Sequence, residues 1–428
     1  MNPREAARAV FDSALAAGDV RPLVLRALAD APLPPDARVL AVGAGKASGA
    51  MAAAAEEALG DRLRGGLVAV KDGCLVPTRR VRLVEAGHPI PDARGAAAAR
   101  EIHAIATSAE ADDVLLVLVS GGGSALTPAP VPPITLADKQ ALTGLLLAAG
   151  ATIGQINTVR KHCSRLKGGQ LARAAAPARV LALLLSDVIG DPLDVIASGP
   201  TAPDESTFAH AMGILARFDV RDRVPPAVLD RLQRGVRGEI PDTPKPGDPL
   251  FARVDNRVIG NNELIVSAAV ARARALGLTP HLLTRALEGE ARDAARRLVM
   301  LARDIKAGRG PVRPPACVIA AGETTVTVRG HGQGGRCQEL ALAAAIDMEG
   351  LDGVAILAAG TDGSDGPTAA AGGIADGESA GRIRALGDDP TARLDDNDAH
   401  PVLARLDDLV VTGPTNTNLL DVYLAVIA

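Results

Sequence analysis

Residues 38–49 read RVLAVGAGKASG, in which the apolar run at 39–42 leads directly into the turn Gly43-Ala44-Gly45-Lys46. The pattern returns at 113–124, where DVLLVLV precedes SGGGS, and at 179–191, where RVLALLL precedes SDVIGD. These runs are continuous rather than alternating, as expected of parallel strands covered by helices on both faces. The sequence therefore predicts an α/β fold with a doubly wound parallel sheet, whose glycine turns lie at the carboxyl ends of its strands.

A proline-rich stretch interrupts this alternation of strands and helices past the middle of the chain. Residues 241–249 read PDTPKPGDP and contain four prolines, which is typical of a linker. The alternation then resumes, with strands predicted at 257–259, 316–320, 324–328 and 354–358. We therefore predict two α/β domains, a doubly wound one over residues 1–240 and a smaller one over residues 250–428.

The composition excludes several classes of function. The chain has 428 residues, of which 47% are apolar, 22% charged and 1% aromatic, with four Phe, one Tyr and no Trp. Proteins that bind single-stranded nucleic acid stack bases on aromatic rings, and membrane proteins use Trp and Tyr belts. The net charge of −4 provides no general attraction for a polyanion. We expect a protein that binds small molecules, and neither nucleic acid nor membrane.

The cysteine spacing indicates the cellular compartment. The four cysteines are scattered without a CxxC pair, which favours reduced thiols and a cytoplasmic location over a disulfide framework or a zinc site. The first twenty residues carry charges of both signs, as an amphipathic helix does and a signal peptide does not. The sequence leaves the oligomeric state open, with a homodimer as one option.

The turn at 43–46 fits neither of two common nucleotide-binding motifs. A Walker A loop needs a glycine where this chain has leucine, and a Ser or Thr where alanine follows the lysine. A dinucleotide-binding turn needs GxGxxG, whereas the chain has GxGxxxG, with Asp72 as a candidate ribose-binding acid. Gly43, Gly45 and Lys46 also suit an anion site at a helix N-terminus. An ordinary exposed helix start is the alternative.

The triple-glycine loop is a second candidate for anion binding. Its consecutive backbone N–H groups can form a nest for a phosphate or carboxylate, although a tight turn would use some of the same glycines. Asn261 and Glu323, which follow glycine turns of the second domain, are further candidates for substrate or phosphate binding. The residues of the triple-glycine loop are Ser120, Gly121, Gly122, Gly123 and Ser124.

Two basic segments complete the predicted anion-binding groups. Residues 157–167, NTVRKHCSRLK, predict a helix capped by Asn157 with Arg160 and Lys167 on one face. A solvated basic face is the ordinary interpretation of this segment, and a phosphate-facing role is the alternative. Residues 329–336, RGHGQGGR, predict a mobile loop that ends at Arg336, where a guanidinium can clamp a phosphoryl or carboxylate group.

Two acidic loops indicate a metal site. Asp187 and Asp191 follow the run at 179–185, and Asp362 and Asp365 follow the run at 354–358. Carboxylates at strand ends suit Mg²⁺, which takes a few of them together with waters and substrate phosphates. Aspartate is also a common turn residue that bonds its own backbone, so each of the four has a structural alternative.

Taken together, these segments resemble the glycerate 2-kinase family with a C-terminal MOFRL domain, whose members have often been named hydroxypyruvate reductases. The resemblance implies a Rossmann-like doubly wound N-terminal domain and a smaller α/β MOFRL domain. It covers most of the chain in seven ordered segments: VGAGKAS (42–48), VSGGGSAL (119–126), NTVRKHCSRLKGGQLA (157–172), SDVIGDPLDVIASGPT (186–201), GETTVTVRGHGQGGRCQEL (322–340), GTDGSDGPT (360–368) and TGPTNTN (412–418).

The resemblance implies ATP-dependent phosphorylation of D-glycerate at its 2-hydroxyl, giving 2-phosphoglycerate and ADP, with Mg²⁺. It also implies that Lys46 and Arg336 are catalytic. Our mechanism hypothesis places Mg²⁺ in the acidic loops and glycerate's carboxylate on the triple-glycine loop, with Asp187 as the candidate that takes the hydroxyl proton. The chain departs from the family pattern at Ala369 and Cys337, where Asp and Asn are common.

Two other functions stay open at this point. An NAD(P)H-dependent hydroxypyruvate reductase would use the GxGxxxG turn and Asp72. Against it, the sequence shows no histidine with a partnered carboxylate of the kind that protonates a substrate carbonyl. A non-catalytic sensor of phosphorylated sugars or acids would have similar glycine loops, but it would not need acidic loops and a mobile arginine loop together.

Overall fold

The computed structural model describes residues 2–31 and 33–428. Within these residues, no helix combines the length and apolar character that crossing a membrane requires. The α-helices are α1 (Pro3–Ala17), α2 (Val20–Ala29), α3 (Ser48–Leu59), α4 (Ala93–Thr107), α5 (Gly123–Leu126), α6 (Leu136–Ala148), α7 (Ile153–His162), α8 (Gln170–Ala175), α9 (Phe208–Arg217), α10 (Pro226–Val236), α11 (Asn262–Ala275), α12 (Ala291–Lys306), α13 (Arg336–Asp347), α14 (Ser379–Ala385), α15 (Pro390–Asp395) and α16 (Ala399–Arg405). The strands are β1 (Val39–Ala44), β2 (Leu63–Lys71), β3 (Val81–Ala86), β4 (Val114–Val119), β5 (Arg179–Leu185), β6 (Val254–Gly260), β7 (Thr279–Leu287), β8 (Ala316–Gly322), β9 (Val354–Gly360), β10 (Gly372–Asp376), β11 (Leu409–Val410) and β12 (Asp421–Ile427).

One compact unit comprises Val20–Ile259 and contains a sheet with strand order β3-β2-β1-β4-β5-β6. The pairs among β1 to β5 are parallel. This is the order of dinucleotide-binding folds, in which the winding reverses between the first and fourth strands. The prediction of a Rossmann-like doubly wound sheet is confirmed. The turns after β1, β4 and β5 lie at the same edge, because their strands run in parallel.

Aliphatic side chains build the core of this unit. Every residue of β4 is buried, as is all of β5 after its first residue. Ile102 of α4 and Leu171 of α8 pack with these strands in one cluster. Helices α6, α7, α9 and α10 enclose a separate cluster around Leu142 and Phe208. These strands are apolar on both faces because helices cover both faces of the sheet.

The second unit comprises Gly260–Ala428 together with the residues up to Asp19. Its sheet has the order β11-β10-β9-β12-β8-β7. Only β7 and β8 are parallel among the described strand pairs, and the others are antiparallel. Val318 and Ile356 pack with α12 and α13. The strand side chains next to them point to the opposite face.

The two units differ from the two predicted domains at both ends of the predicted N-terminal domain. Helix α1 packs against α11, β9 and β12, and Arg4 donates to Asp376 at 2.8 Å and also pairs with Asp408. Residues 2–19 therefore group with the second unit. The proline-rich stretch groups with the first unit, where the backbone N–H of Asp204 donates to the carbonyl of Pro244 at 2.9 Å.

The strand predicted at 324–328 is wrong. Within the described residues, this segment forms only an isolated bridge between Glu290 and Thr325. The backbone N–H of Thr324 donates to the phenol oxygen of Tyr423 at 3.1 Å instead. The β-branched residues of this segment favour extended backbone, but the hydrogen bond to Tyr423 takes the place of strand pairing.

Candidate functional site

The turns after β1 and β4 bond to each other where the winding of the first sheet reverses. The backbone N–H of Lys46 donates to the carbonyl of Gly121 at 2.9 Å, and that of Ala47 donates to Ser120 Oγ at 2.9 Å. Ser120 is fully buried, and Lys46 is half-buried. The two glycine turns thus form one site at the strand ends, where ligands of doubly wound sheets bind.

Gly45 permits the close approach of these turns. Its φ is +150°, and a Cβ there would lie 2.0 Å from Ser120 Oγ and 2.6 Å from Ser120 O.

We expect Gly45→Ala to lower the free energy of unfolding by about 2–4 kcal/mol, because it adds overpacking to backbone strain. Denaturant unfolding measures this loss. Gly144→Ala is the matched control: a Cβ at Gly144, in α6, would meet nothing within 4 Å, so this variant should be neutral or slightly stabilising. Equal stability of the two variants would contradict the expectation.

The other glycines of the site take different positions. Gly43 lies within β1, so the strand continues into the predicted turn. Gly122 has φ +85°, and Gly123 and Ser124 begin the short helix α5. The loop is therefore a turn followed by one helical turn, and Ser124 lies in the helical turn.

Basic side chains converge on Ser124. Lys167 Nζ donates to Ser124 O and to Ser124 Oγ, both at 2.8 Å. Arg160 Nη2 donates to the same carbonyl at 3.3 Å. Lys139, which donates to the carbonyl of Pro128, is a third cation nearby. Burial, followed by the charges of Arg160 and Lys139, holds the pKa of Lys167 well below its usual value.

These three cations have no acidic partner in the part of the chain that the structure describes. Lys139 is 4% exposed and Lys167 is 2% exposed. Within residues 2–31 and 33–428, neither of them nor Arg160 forms an ion pair, whereas the neighbouring Lys161 pairs with two aspartates at 3.1 and 3.3 Å. Burial, with the charge of Arg160, lowers the pKa of Lys139 to about 7. Because buried charges are normally paired, this cluster suits an anion supplied from solution.

Helix α7, which carries Arg160, begins earlier than predicted. Thr152 caps it, and Gln155 completes the capping box. Asn157 lies inside the helix, where it is buried and its Oδ1 accepts from Arg160 Nη1 at 3.3 Å. Its role is therefore to orient the guanidinium.

Ser198, in the segment 197–199, contacts Ser124. Ala197, Ser198 and Gly199 have φ values of +49°, +65° and +62°. Ser198 Oγ lies 2.9 Å from Ser124 Oγ and donates to Asn157 Oδ1 at 3.2 Å. A non-glycine residue in this backbone region costs about 1–3 kcal/mol and is typical of functional sites. Sequence reasoning missed Ser198, because consecutive left-handed residues have no compositional signal.

Arg336 begins α13 in the second unit and contacts two carboxylates. Its Nε donates to Asp421 Oδ2 at 2.5 Å, Nη2 to Asp421 Oδ1 at 2.9 Å, and Nη1 to Glu323 Oε1 at 2.6 Å. Although burial lowers it, the hydrogen bond and charge of Asp421 raise the pKa of Arg336 above its usual value. The bonds use three of the five guanidinium N–H groups. The side chain is 34% exposed, so donors remain for an anion.

Asp421 is a site residue that the sequence analysis missed. It is 1% exposed, and its Oδ2 also accepts from the hydroxyl of Tyr423 at 3.0 Å. Burial and the charge of Asp421 raise the pKa of Tyr423, which therefore stays a donor. The signal available in the sequence was an acidic residue beginning the apolar run DVYLAVI beside the chain's single tyrosine.

The loop before Arg336 was predicted to be mobile, but side chains from another loop hold it. Asn397 Oδ1 accepts from the backbone N–H groups of Arg329 and Gly330 at 2.8 and 3.1 Å. Asp396 and Asp398 accept from two further backbone N–H groups at 3.0 and 2.9 Å. The loop therefore presents Arg336 from a fixed backbone.

Asp365 anchors the start of α13. It is buried, and its carboxylate accepts from the backbone N–H groups of Cys337 and Gln338 at 3.2 and 2.8 Å and from Gln338 Nε2 at 3.0 Å. Burial raises the pKa of Asp365 to about 6 and that of the Cys337 thiol well above its usual value. These contacts do not fit the predicted role of Asp365 as a metal ligand. Ala369 lies exposed on the same loop.

The other predicted metal ligands are partly exposed. Asp187 and Asp191 lie on the loop after β5, and Asp362 follows β9, where its Oδ1 accepts from Ser364 at 3.0 and 3.1 Å. Among the described residues, no three His, Cys, Asp or Glu side chains are grouped to hold a metal. Nucleotide-bound Mg²⁺ takes only one or two carboxylates beside phosphates and waters. The donor chemistry of Asp187 and Asp191, which share one loop, therefore fits it, and the metal-binding role of Asp362 stays a prediction.

Two predicted residues serve local structure. Asn261 caps α11, because its Oδ1 accepts from the backbone N–H of Leu264 at 3.2 Å. Asp72, the candidate ribose acid of a reductase, forms a bidentate pair with Arg94 at 2.7 and 2.9 Å. Glu323, in contrast, contacts Arg336 as described above. The pairing of Asp72 removes a feature that favoured a dinucleotide site.

The chain is similar to proteins named for action on glycerate. The domain of unknown function DUF4147 matches residues 6–233, and the MOFRL family matches residues 316–421. A D-glycerate 2-kinase of Thermotoga maritima is 41% identical over 391 residues, 91% of each chain. An Agrobacterium vitis protein, named provisionally as a hydroxypyruvate reductase, is 40% identical over 99% of this chain and 94% of its own. The crystal structure of a glycerate kinase from Thermotoga maritima matches with a TM-score of 0.89 at 39% identity, over 99% of both chains.

Proposed function

The chain belongs to the glycerate kinase family that combines a DUF4147 domain with a MOFRL domain, and we propose that it transfers the γ-phosphoryl group of ATP to the 2-hydroxyl of D-glycerate. The products are 2-phosphoglycerate and ADP. The observation that carries this proposal is that Arg160 and Lys167 donate to Ser124 and, like the neighbouring Lys139, have no acidic partner among the described residues. Both substrates are anions, and the cluster lies at the edge of the sheet where ligands bind.

The Ser124 site binds the carboxylate of glycerate. Lys167 and Arg160 donate there at present to neutral oxygens of Ser124. A carboxylate is a better acceptor for these charged donors, and it compensates the cost of their burial. Ser198 and Asn157 orient the donors. The acceptor hydroxyl is thereby fixed relative to the carboxylate, as phosphoryl transfer requires.

Lys46 and Arg336 stabilise charge on the phosphoryl group that is transferred. Phosphoryl transfer depends on positioning and charge stabilisation more than on covalent chemistry. Arg336 contributes the N–H donors that its carboxylate partners leave unused. Asp187, on the loop after β5, accepts the proton of the 2-hydroxyl. Strand β5 pairs with β4 in parallel. The loop after β5 therefore lies at the same edge of the sheet as the Ser124 site.

Magnesium would be held by carboxylate oxygens of Asp187 and Asp191, on the loop after β5, together with ATP phosphates, and it would supply neutralisation of phosphate charge. Asp365 has no part in this set, because its oxygens already accept from α13.

A paired assay tests the proposed activity. Purified protein is incubated with D-glycerate, ATP and Mg²⁺, and ADP and 2-phosphoglycerate are measured. In parallel, hydroxypyruvate is incubated with NADH or NADPH. We expect ADP and 2-phosphoglycerate in stoichiometric amounts and no oxidation of either pyridine nucleotide. Oxidation of NADH or NADPH without ADP formation would favour the reductase function over the kinase function. No reaction in either assay would favour a non-catalytic binding protein.

We expect the affinity for D-glycerate to fall as the pH rises from 6 to 8. Burial and Arg160 hold the pKa of Lys139 at about 7, below an unfolded value of about 10.4. The unfolded chain therefore binds more protons between these two values, so the free energy of unfolding rises with pH in this window. A bound carboxylate favours the protonated lysine, so the affinity should fall by up to about tenfold per pH unit above 7. Titration calorimetry in buffers of different ionisation enthalpy measures the proton uptake.

The matched control for this pH dependence is Lys139→Met, which keeps an unbranched side chain and removes the titrating amine. Its glycerate affinity should be weaker at pH 6, and the proton uptake contributed by Lys139 should be lost, while the contribution of Lys167, whose pKa is also lowered, remains. Binding to the unsubstituted protein without proton uptake at pH 8 would separate Lys139 from the substrate site.

A further inference from the structure

A second basic cleft lies in the unit Val20–Ile259, and Ser124, Arg160 and Lys167 are not among its lining residues. It has a volume of about 250 Å³. Arg165 lies at the turn between α7 and α8, Arg173 is on α8, Arg231 is on α10, and His103 is on α4. Of the described residues that line the cleft, none is acidic. Three arginines therefore line one cavity in a chain whose net charge is −4.

Neutral oxygens hold two of these arginines in place. Arg173 donates from Nη1 to Gln170 Oε1 at 3.1 Å and from Nη2 to the carbonyl of Asp242 at 2.9 Å. Arg231 donates from Nε to the carbonyl of His162 at 2.7 Å. Each guanidinium has five N–H groups, so both keep donors that these bonds do not use. These bonds therefore fix the orientation of both guanidinium groups and leave their positive charge and further N–H donors available to a ligand.

No carboxylate of the described chain pairs with Arg165, Arg173 or Arg231. Arginines elsewhere in this unit behave differently, since Arg38 and Arg94 both pair with aspartates. Burial lowers the pKa of Arg231. Burial and then the charge of Arg165 lower the pKa of His103. The cleft thus concentrates positive charge that a bound anion would relieve.

The cleft and the Ser124 site use different side chains of one short turn. Arg165 lines the cleft and is exposed, whereas Lys167, two residues later, is buried and donates to Ser124. The Ser124 site contains none of the cleft's arginines. An anion in the cleft is therefore bound separately from the substrate carboxylate.

We propose that this cleft is a second anion site, which binds the phosphate dianion of inorganic phosphate or of a small phosphate monoester. Guanidinium forks match the oxygens of phosphate bidentately. The volume is below that of pockets for drug-sized ligands, so it suits a ligand of few atoms. This site goes beyond the kinase reaction and does not depend on it.

Arginine footprinting tests the proposal residue by residue. The full-length protein is treated with phenylglyoxal at increasing concentrations of inorganic phosphate, and modification of each arginine is followed by peptide mass spectrometry. Arg217, which is exposed on α9 and does not line the cleft, is the internal control. We expect phosphate to slow modification of Arg165 saturably, by about fivefold or more, since its donors become engaged. The rate at Arg217 should not change.

A variant of the cleft and a second anion provide two further comparisons. The variant Arg173→Gln should raise the phosphate concentration for half-protection of Arg165 by about tenfold, the effect of losing one charge-assisted contact. Malonate, a dicarboxylate, should protect Arg165 less than phosphate does. Equal slowing of Arg165 and Arg217, no slowing of either, or stronger protection by malonate would overturn the proposal. The first comparison is made in the unsubstituted protein, so the result does not depend on the folding of the variant.

Discussion

Replacing Lys46 with alanine is expected to lower kcat for glycerate phosphorylation by about 10²–10³-fold, the usual cost of removing one preorganised group that stabilises transition-state charge. The fold should survive, because the backbone N–H that bonds Gly121 is retained and the side chain is only half-buried. ADP release at saturating substrates measures kcat. The midpoint of denaturant unfolding, measured on the same samples, reports stability.

The comparison needs a lysine outside the site. Lys306→Ala serves, since Lys306 is exposed on α12 and donates to the carbonyl of Asp352, and its kcat should equal that of the unsubstituted protein. Lys46→Arg keeps the charge and should recover part of the lost rate. A raised KM with unchanged kcat would show that Lys46 acts only in ground-state binding. A kcat of Lys46→Ala close to that of Lys306→Ala would remove Lys46 from the mechanism.

The sequence predicts the first sheet well, because its signals are local. The apolar runs that became β1, β4 and β5 end at glycine turns, and each run is buried on both faces. Parallel pairing then brings their carboxyl ends together without further information. The assignment of α1 to the second unit depends on packing with α11, which is more than two hundred residues distant along the chain, and no local pattern indicates it.

The site residues also divide into those that local sequence motifs indicate and those that only the folded structure reveals. Lys46, Arg160, Lys167 and Arg336 stand in motifs with charge and glycine at fixed spacing, so sequence reasoning finds them. Lys139 has an ordinary helical context and becomes significant only because tertiary packing buries it. The loop before Arg336 has a glycine-rich composition that predicts mobility, but the side chains that hold its backbone come from a loop about sixty-five residues later.

The four predicted metal ligands show a further limit. Asp362 and Asp365 are three residues apart in a loop with the same composition around both. One is partly exposed, and the other is buried under the first turn of α13. Sequence cannot separate them, because the difference arises from which backbone N–H groups each carboxylate meets after folding.

Arg336→Ala is expected to lower kcat by about 10³-fold or more, comparable to the loss of other arginines that stabilise phosphoryl transfer. It should also destabilise the protein by about 3–5 kcal/mol, because it leaves the buried Asp421 carboxylate without its cation. Loss of activity alone would therefore not distinguish a catalytic arginine from a structural one. Kinetics and unfolding must be measured on the same variants.

The double variant Arg336→Ala/Asp421→Asn separates the two effects. Removing the carboxylate's charge relieves the uncompensated burial, and asparagine still offers an oxygen to the hydroxyl of Tyr423, so stability should largely return. Activity should not return, because no guanidinium remains to stabilise the transferred phosphoryl group. Arg285→Ala is the control, since its pair with Glu263 is exposed at the surface of the same unit and should contribute little to stability or rate. If the double variant regained both stability and kcat, Arg336 would serve only to neutralise Asp421, and the charge-stabilising role would fall to Lys46 alone.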